Sequence, residues 1–400
     1  MHRVSPQAST RLPLTVRSRR KLCNDQLQVD LENDSSFCGD LSINLKFLEI
    51  TMTTQLEGKM LTGIKKGIIF RDKPPEAGTT WAIIGVVFLV YFFYVMGSWI
   101  TSSDFARTMP ASPVPDEIKF KMNLLQVVTC FITVLTIYYF VIKPKLRTGR
   151  FSFLALFMFA HITTLVHDPL GNYSAVHVAY NAYPMNMGSW ANFIPGFLTP
   201  NQNLMPESFF MMMPPYIWYN CMLSAGFAWV WRKLAERFPQ GGTLIVIAAV
   251  FIVMMVADLV AEFGFIRSHG YSYIGGIQSV SLWSGTMFQF PLYIPVLTAM
   301  LTMGFTTLLY YRDDKGESWA DRGIGKLKLS DSGKTFVRFL SLTGAMHMIN
   351  LVTFWMPLQF FTMNGDTAPA TTPNYIINNI CGEGTPHPCN GANFNPRRSN

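Results

Sequence analysis

The chain has 400 residues, of which 50% are hydrophobic and only 14% charged, with 32 phenylalanines and 23 methionines. A soluble domain carries about 25% charged residues and cannot hide this much apolar surface behind so few charges, so a soluble enzyme, a disordered chain and a small disulfide scaffold are excluded. The net charge of +8 fits the basic loops of a polytopic membrane protein, and no nucleic-acid partner is expected.

Residues 1–51 hold seven basic and six acidic residues and no long apolar run. They lack the continuous apolar stretch of a secretory signal. They read as a disordered tail or a mis-started extension ahead of Met52, and residues 52–79 as a cytoplasmic juxtamembrane segment. A membrane domain follows over 80–361, then a C-terminal tail over 362–400. Within the domain seven apolar segments stand at 80–101, 123–142, 151–166, 208–231, 243–265, 286–311 and 336–361. Most reach the ~20 residues that a helix needs to cross the hydrocarbon. The third is short, so the chain after it is expected to begin within the membrane or its interface.

Basic residues set the orientation. Of 25 lysines and arginines from Met52 onward, 19 fall on one side of this alternation and six on the other. The richer side is cytoplasmic, which places the N-terminus inside and the C-terminus outside. The predicted fold is an all-α polytopic membrane bundle of seven transmembrane helices, with the lipid bilayer as its solvent.

Charged groups inside such a bundle are costly and mark candidate sites. In the fifth segment Asp258 and Glu262 are four residues apart and share a helix face. Two carboxyls so close in low dielectric repel, and one kept protonated is a general acid. The structural alternative has Asp258 paired to a neighbouring helix and Glu262 at the interface. His161 lies within the third segment and His347 within the seventh. Each could relay protons, ligate a haem or metal, or simply pack. The third segment ends in His167-Asp168-Pro169-Leu170-Gly171-Asn172-Tyr173, where proline and glycine stop the helix. The adjacent His167 and Asp168 could supply a proton donor and its partner; the alternative is a helix cap.

The loop over 167–207 has no Lys or Arg, and Asp168 and Glu207 are its only acids. Its tyrosines, tryptophan, phenylalanines and prolines make it stiff and aromatic, suited to fold onto the outer mouth as a lid or to form an interfacial belt. Tyr173, Tyr180, Asn181 and Trp190 from this loop, Tyr219 at the start of the fourth helix and His347 are candidate substrate-binding residues. Tyr216, Trp218 and Asn220, then Arg267, His269, Tyr271 and Tyr273, then Trp283 and Gln289 are further outer groups that could line a pocket. Cys130 and Cys221 lie in apolar segments and read as packing residues. Cys381 and Cys389 in the outer tail are expected to be bridged in an oxidising compartment; the alternative is two free thiols. No P-loop, GxSxG, HExxH, dinucleotide fingerprint or cysteine-rich metal spacing is present, so no cofactor and no metal are expected.

The His167–Tyr173 stretch, followed by Tyr180-Asn181, Gly188-Ser189-Trp190 and Pro195-Gly196-Phe197, resembles the AveC-like family of spirocyclases over about residues 75–365. The resemblance implies a bacterial integral membrane protein of the cytoplasmic (inner) membrane. The family's best-known member closes a spiroketal on a polyketide and can also dehydrate it, a reaction of secondary metabolism; the substrate itself does not carry over. The expected activity is an acid–base catalysed cyclisation with loss of water on a hydrophobic small-molecule substrate, using Asp258, Glu262, His167, Asp168 and His161. The alternatives are another membrane cyclase or dehydratase, a transporter or small-molecule receptor with an outward-facing pocket, and a b-haem carrier using His161 and His347.

Overall fold

Helices account for most of the described residues in a computed structural model that describes residues 77–239 and 242–390. The readings made for residues 1–51, for 52–76 and for the last ten residues lie outside the described residues. Among the described residues seven main helices form the bundle. They are α1 (Ala77–Ile100), α2 (Asp116–Ile137), α3 (Phe153–Thr163), α4 (Pro215–Arg237), α5 (Gly242–Arg267), α6 (Tyr293–Tyr310) and α7 (Asp331–Asn350). α2 continues through a π-helical turn at Tyr138–Ile142 into Lys143–Thr148, and α7 through one at Leu351–Trp355 into Met356–Met363. Six of the seven are long and apolar enough to cross a membrane. α4 is the exception: its 23 residues include Asn220, Ser224 and Gly226 and four charged groups near its end.

Several boundaries depart from the hydropathy reading for local reasons. α2 begins at Asp116, ahead of its apolar run, because Asp116 and Glu117 suit the first turn of a helix. Gly149, at φ 71°, ends its continuation in the left-handed conformation that β-carbons disfavour. α3 does not stop at 166 but tightens into a 3₁₀ helix over Thr164–Asn172. Pro169 has no N–H to give an α-helical bond, and Thr163 and Thr164 turn their hydroxyls back to the carbonyls of Ala160 and His161 at 2.6 and 2.7 Å. α6 starts only at Tyr293, because the preceding residues form a hairpin. There β3 (Ser281–Leu282) pairs antiparallel with β4 (Phe290–Pro291).

α1 and α7 lie against one another along their length. Two glycines permit it: a β-carbon on Gly85 would stand 1.8 Å from the Leu340 carbonyl oxygen, and one on Gly344 would stand 2.2 Å from that of Trp81. Such close backbone approach is how apolar helices associate when no water drives them together.

The loop between α3 and α4 is packed, with Asn181, Asn186, Ser189, Trp190 and Gln202 fully buried. Its strand β1 (Ala179–Tyr180) pairs antiparallel with β2 (Tyr271–Ser272), placing Tyr180 opposite Tyr271. This end of the bundle also receives the C-terminal segment, where Cys381 and Cys389 are disulfide-bonded. At the opposite end the α6–α7 loop is tied by Arg338 of α7 to Glu317 and Asp321.

Candidate active site

Four carboxyls gather at the loop end of the bundle in two pairs, three of them buried and Glu262 half-buried. The first pair is on α5. Asp258 is 2% exposed and accepts a long bond, 3.5 Å, from the Tyr219 hydroxyl. One turn on, Glu262 accepts from the hydroxyls of Tyr271 and Tyr273, the latter at 2.8 Å. Both phenols donate to the same Glu262 oxygen.

The second pair joins the 3₁₀ continuation of α3 to the loop. Asp168 accepts from Tyr216 on one oxygen at 2.6 Å and from Tyr180 on the other at 2.9 Å. Its carboxyl is also hydrogen bonded to that of Glu207, which is 1% exposed and accepts from Ser189 at 3.4 Å. Two hydrogen-bonded carboxyls share a proton, because two ionised ones would only repel. Burial, then the charge of Asp168, hold Glu207 well above the usual carboxylate range. Burial and the adjoining carboxyls likewise push the hydroxyls of Tyr180, Tyr271 and Tyr273 well above their ordinary range, so these phenols remain hydrogen-bond donors.

Two connections join the pairs. Tyr216 and Tyr219 are three residues apart on the first turns of α4, hence neighbours on one face, and one serves Asp168 while the other serves Asp258. Tyr180 and Tyr271 face each other across β1–β2 with rings edge to face at 6.0 Å, and they serve Asp168 and Glu262 respectively. The four acids thus share one tyrosine-lined region. No ion pair to any of them is present among the described residues.

The histidines border this region. His347 Nε2 lies 2.9 Å from the Thr163 hydroxyl and its Nδ1 lies 2.7 Å from His167 Nε2. Thr163 already donates to Ala160, so it accepts from His347 Nε2–H, and His347 Nδ1 in turn accepts from His167 Nε2–H. His161 bonds through Nδ1 to the Tyr216 carbonyl at 2.5 Å and through Nε2 to Asn220 at 3.2 Å. With both nitrogens of His161 and of His347 engaged in the protein, neither offers a lone pair to a haem iron in this arrangement. Among the described residues no group of three or more His, Cys, Asp and Glu could hold a metal ion.

The structure therefore brings together Asp258, Glu262, Asp168, Tyr180 and Tyr219 and sets His161, His167 and His347 beside them. It does not bring in the other three loop residues. Trp190 is core: its indole donates to the Val166 carbonyl at 3.0 Å and its ring meets Trp99. Asn181 ties the loop to the carbonyl of His269 at 3.0 Å. Tyr173 packs edge-on against Phe197. Of the other outer groups, Arg267 is enclosed by the rings of Phe263, Trp283 and Phe288 at 4.6–4.9 Å, a cation–π arrangement that holds the hairpin to α5.

A family model described as Spirocyclase AveC-like matches residues 148–375. That is more than half of the chain. The chain belongs to the AveC-like spirocyclase family. No curated protein and no solved structure matches it. The matched span of the AveC-like chain begins ahead of α3 and contains all four carboxyls, every tyrosine that serves them and all three bordering histidines. It leaves out α1 and the disulfide.

In the sequence reading Tyr216, Tyr271 and Tyr273 are only outer groups that could line a pocket, and Glu207 has no role beyond being an acid in a cation-free loop. A better signal for Glu207 was its isolation: it and Asp168 are the only charges between α3 and α4.

Proposed function

We propose that this AveC-like protein is a cofactor-independent membrane cyclase that closes a spiroketal or cyclic ether, with loss of water, on a hydrophobic hydroxylated substrate. The observation that carries the reading is the pair of buried carboxyl centres linked by tyrosine hydroxyls, without a compensating cation. In the chemistry, an acid protonates a hemiketal hydroxyl, water leaves, and the resulting oxocarbenium ion is captured by a second hydroxyl that gives up its proton to a base. One water is lost and the proton is returned, so no redox partner or cofactor is required.

Asp258 has the weakest hydrogen-bond support of the four acids and is assigned as the proton donor. Glu262, served by two phenols, suits the base, since donors directed at a carboxylate stabilise its charge. The proton taken up by Glu262 returns to Asp258, one turn away on the same helix face, which resets the pair, while Asp168 and Glu207 hold a second proton between them. The faces of Tyr180 and Tyr271 suit a developing cation, and the packed loop excludes bulk water that would otherwise intercept it. His161, His167 and His347 position these groups. In the same reading α4 is the seventh span, the basic end of the bundle is cytoplasmic, and the carboxyl site opens toward the outer leaflet of a bacterial inner membrane.

The test compares lipid-soluble extracts from a strain lacking the gene, complemented with the wild-type protein or with Asp258→Asn. The reading requires that the deletion and the Asp258→Asn strain accumulate a compound one water heavier than the wild-type product. If Asp258→Asn behaves as wild type at equal protein level, the reading is wrong. A change only in where a metabolite accumulates would instead indicate transport.

A further inference from the structure

A buried site for a hydrophobic substrate needs a way in from the lipid. α2 packs on α4, and α5 packs on α4 and α6, which leaves α2 and α5 splayed. Between them lies an open groove of about 390 Å³, lined by Leu124, Leu125 and Val128 of α2 and by Ala261, Gly264 and Phe265 of α5. Pockets that bind small molecules begin near this size, at about 300 Å³. The walls are apolar. Lys121 and Ser268 lie at one rim, Lys121 already paired with Glu117 at 2.5 Å. Leu124 is 52% exposed and Val128 42%, so the groove opens sideways along the bundle.

The groove touches the carboxyl site through one residue. With about 100° of rotation per residue, Asp258 and Glu262 lie within roughly 40° of each other on α5, while Gly264 lies on a face turned well away. Phe265 sits between the two faces. Its ring forms part of the groove wall and also stacks on Tyr271, with centroids 6.1 Å apart and planes 26° apart. Tyr271 donates to Glu262. One aromatic ring thus separates the groove from a phenol of the site.

We propose that this groove is the lateral port by which the substrate passes from the membrane to the carboxyls, with Phe265 as the inner gate. The inference rests on the cyclase reading. The walls specify the occupant: an amphiphile with an apolar body and a hydroxyl-bearing end. A polar metabolite finds no partner along the walls, and the polar groups at the rim suit the hydroxylated end.

Gly264 provides the test, because a β-carbon built there meets nothing within 4 Å. Gly264→Leu and Gly264→Trp therefore fill the groove from α5 without disturbing a packed contact. Ile83→Trp, on a 63% exposed position of α1, is the control for a large group on the lipid face. The four complemented strains, these three and Asp258→Asn, are compared for the same extractable precursor and product. The expected result is a graded rise in precursor from Gly264→Leu to Gly264→Trp, with the product-to-precursor ratio about tenfold lower for tryptophan, equivalent to ~1.4 kcal/mol. Ile83→Trp should match wild type. With isolated precursor and protein in bilayer discs, the Gly264 variants should lose kcat/KM while kcat at saturation is kept, a split that general destabilisation does not give.

If Asp258→Asn accumulates precursor but both Gly264 variants convert it as wild type does, the groove is a seat for ordinary lipid chains and the port is refuted. If Ile83→Trp accumulates as much precursor as Gly264→Trp, the effect is one of bulk on the lipid face, and the port is likewise refuted. If Asp258→Asn accumulates nothing, the cyclase reading fails, and a substrate port fails with it.

Discussion

Each end of the bundle buries carboxyl groups, but the two ends compensate them differently. Between α6 and α7, Glu317 and Asp321 are 4% and 0% exposed. Glu317 accepts from the backbone N–H groups of Gly323 and Gly325, each at 2.9 Å, and Asp321 from the backbone and hydroxyl of Ser318 at 2.5 and 2.6 Å. Arg338 reaches both, at 3.4 and 2.5 Å. Each charge there has a cation and fixed dipoles, and the result is a folded loop. At the other end Asp168, Glu207, Asp258 and Glu262 have phenols, one serine, one threonine and each other. The comparison teaches that burial of an acid does not mark a reactive site by itself. An acid matched by arginine and amides has fixed charged and dipolar partners, whereas the acids at the loop end are matched by hydroxyls and by one another, with no cation among the described residues.

That contrast is sharpest when one group is removed from each end. Asp258→Asn should lower turnover by about 10³-fold, in the range for losing a general acid, with the melting temperature kept or raised because a costly buried acid becomes a neutral isostere. Arg338→Met should do the reverse. Leaving Glu317 and Asp321 buried without their cation should cost about 3 kcal/mol, the lower end for breaking a buried pair because Arg338 is 29% exposed, while the folded fraction keeps its turnover. Product-to-precursor ratios read beside thermal unfolding of purified protein check both. The comparison breaks if Asp258→Asn unfolds the protein or if Arg338→Met abolishes turnover in molecules that remain folded.

The disulfide gives a smaller effect. Cys381 and Cys389 are eight residues apart, and closing so short a loop restricts the unfolded chain by about 2.5 kcal/mol. Cys381→Ser with Cys389→Ser should lower stability by no more than that and leave the four carboxyls working. Unfolding curves with and without reductant measure it. A loss of turnover in the folded double variant would bring the C-terminal segment into the site.

Part of the site end was readable in the sequence alone, whereas nothing there singled out Glu317, Asp321 and Arg338. Asp258 and Glu262 announce themselves as charges four residues apart in an apolar run, and Asp168 as an acid beside a helix-stopping proline. Hydropathy finds such groups because it measures what each segment costs to bury. It does not measure pairing. Glu207 meets Asp168 only because the loop between α3 and α4 folds back, and Tyr271 meets Tyr180 only through a two-residue strand pair. The same blindness misplaces motif words: Trp190 and Asn181 stand in the family-like stretch, yet their polar atoms serve the carbonyls of Val166 and His269. The start of α6 fails for a related reason, since the apolar residues before Tyr293 are spent on the hairpin of β3 and β4.

The finest probe of the contrast is a slope rather than a level. Glu207 has a carboxyl held well above the usual range, by burial and then by Asp168, whereas in the unfolded chain it titrates near the ordinary ~4.3. Between these two values the folded protein keeps a proton that the unfolded chain has released. Stability therefore falls as pH rises above ~4.3 and levels only past the raised folded value, because the native state binds more protons across that window. Glu207→Gln retains the neutral hydrogen-bonding group and has no proton to lose. The variant should lose less stability than wild type as pH is raised from 5 to 9 in detergent-solubilised unfolding measurements. Equal slopes would mean that Glu207 is already ionised in the folded state. The proton assigned to the Glu207 and Asp168 pair would then be absent from the folded protein.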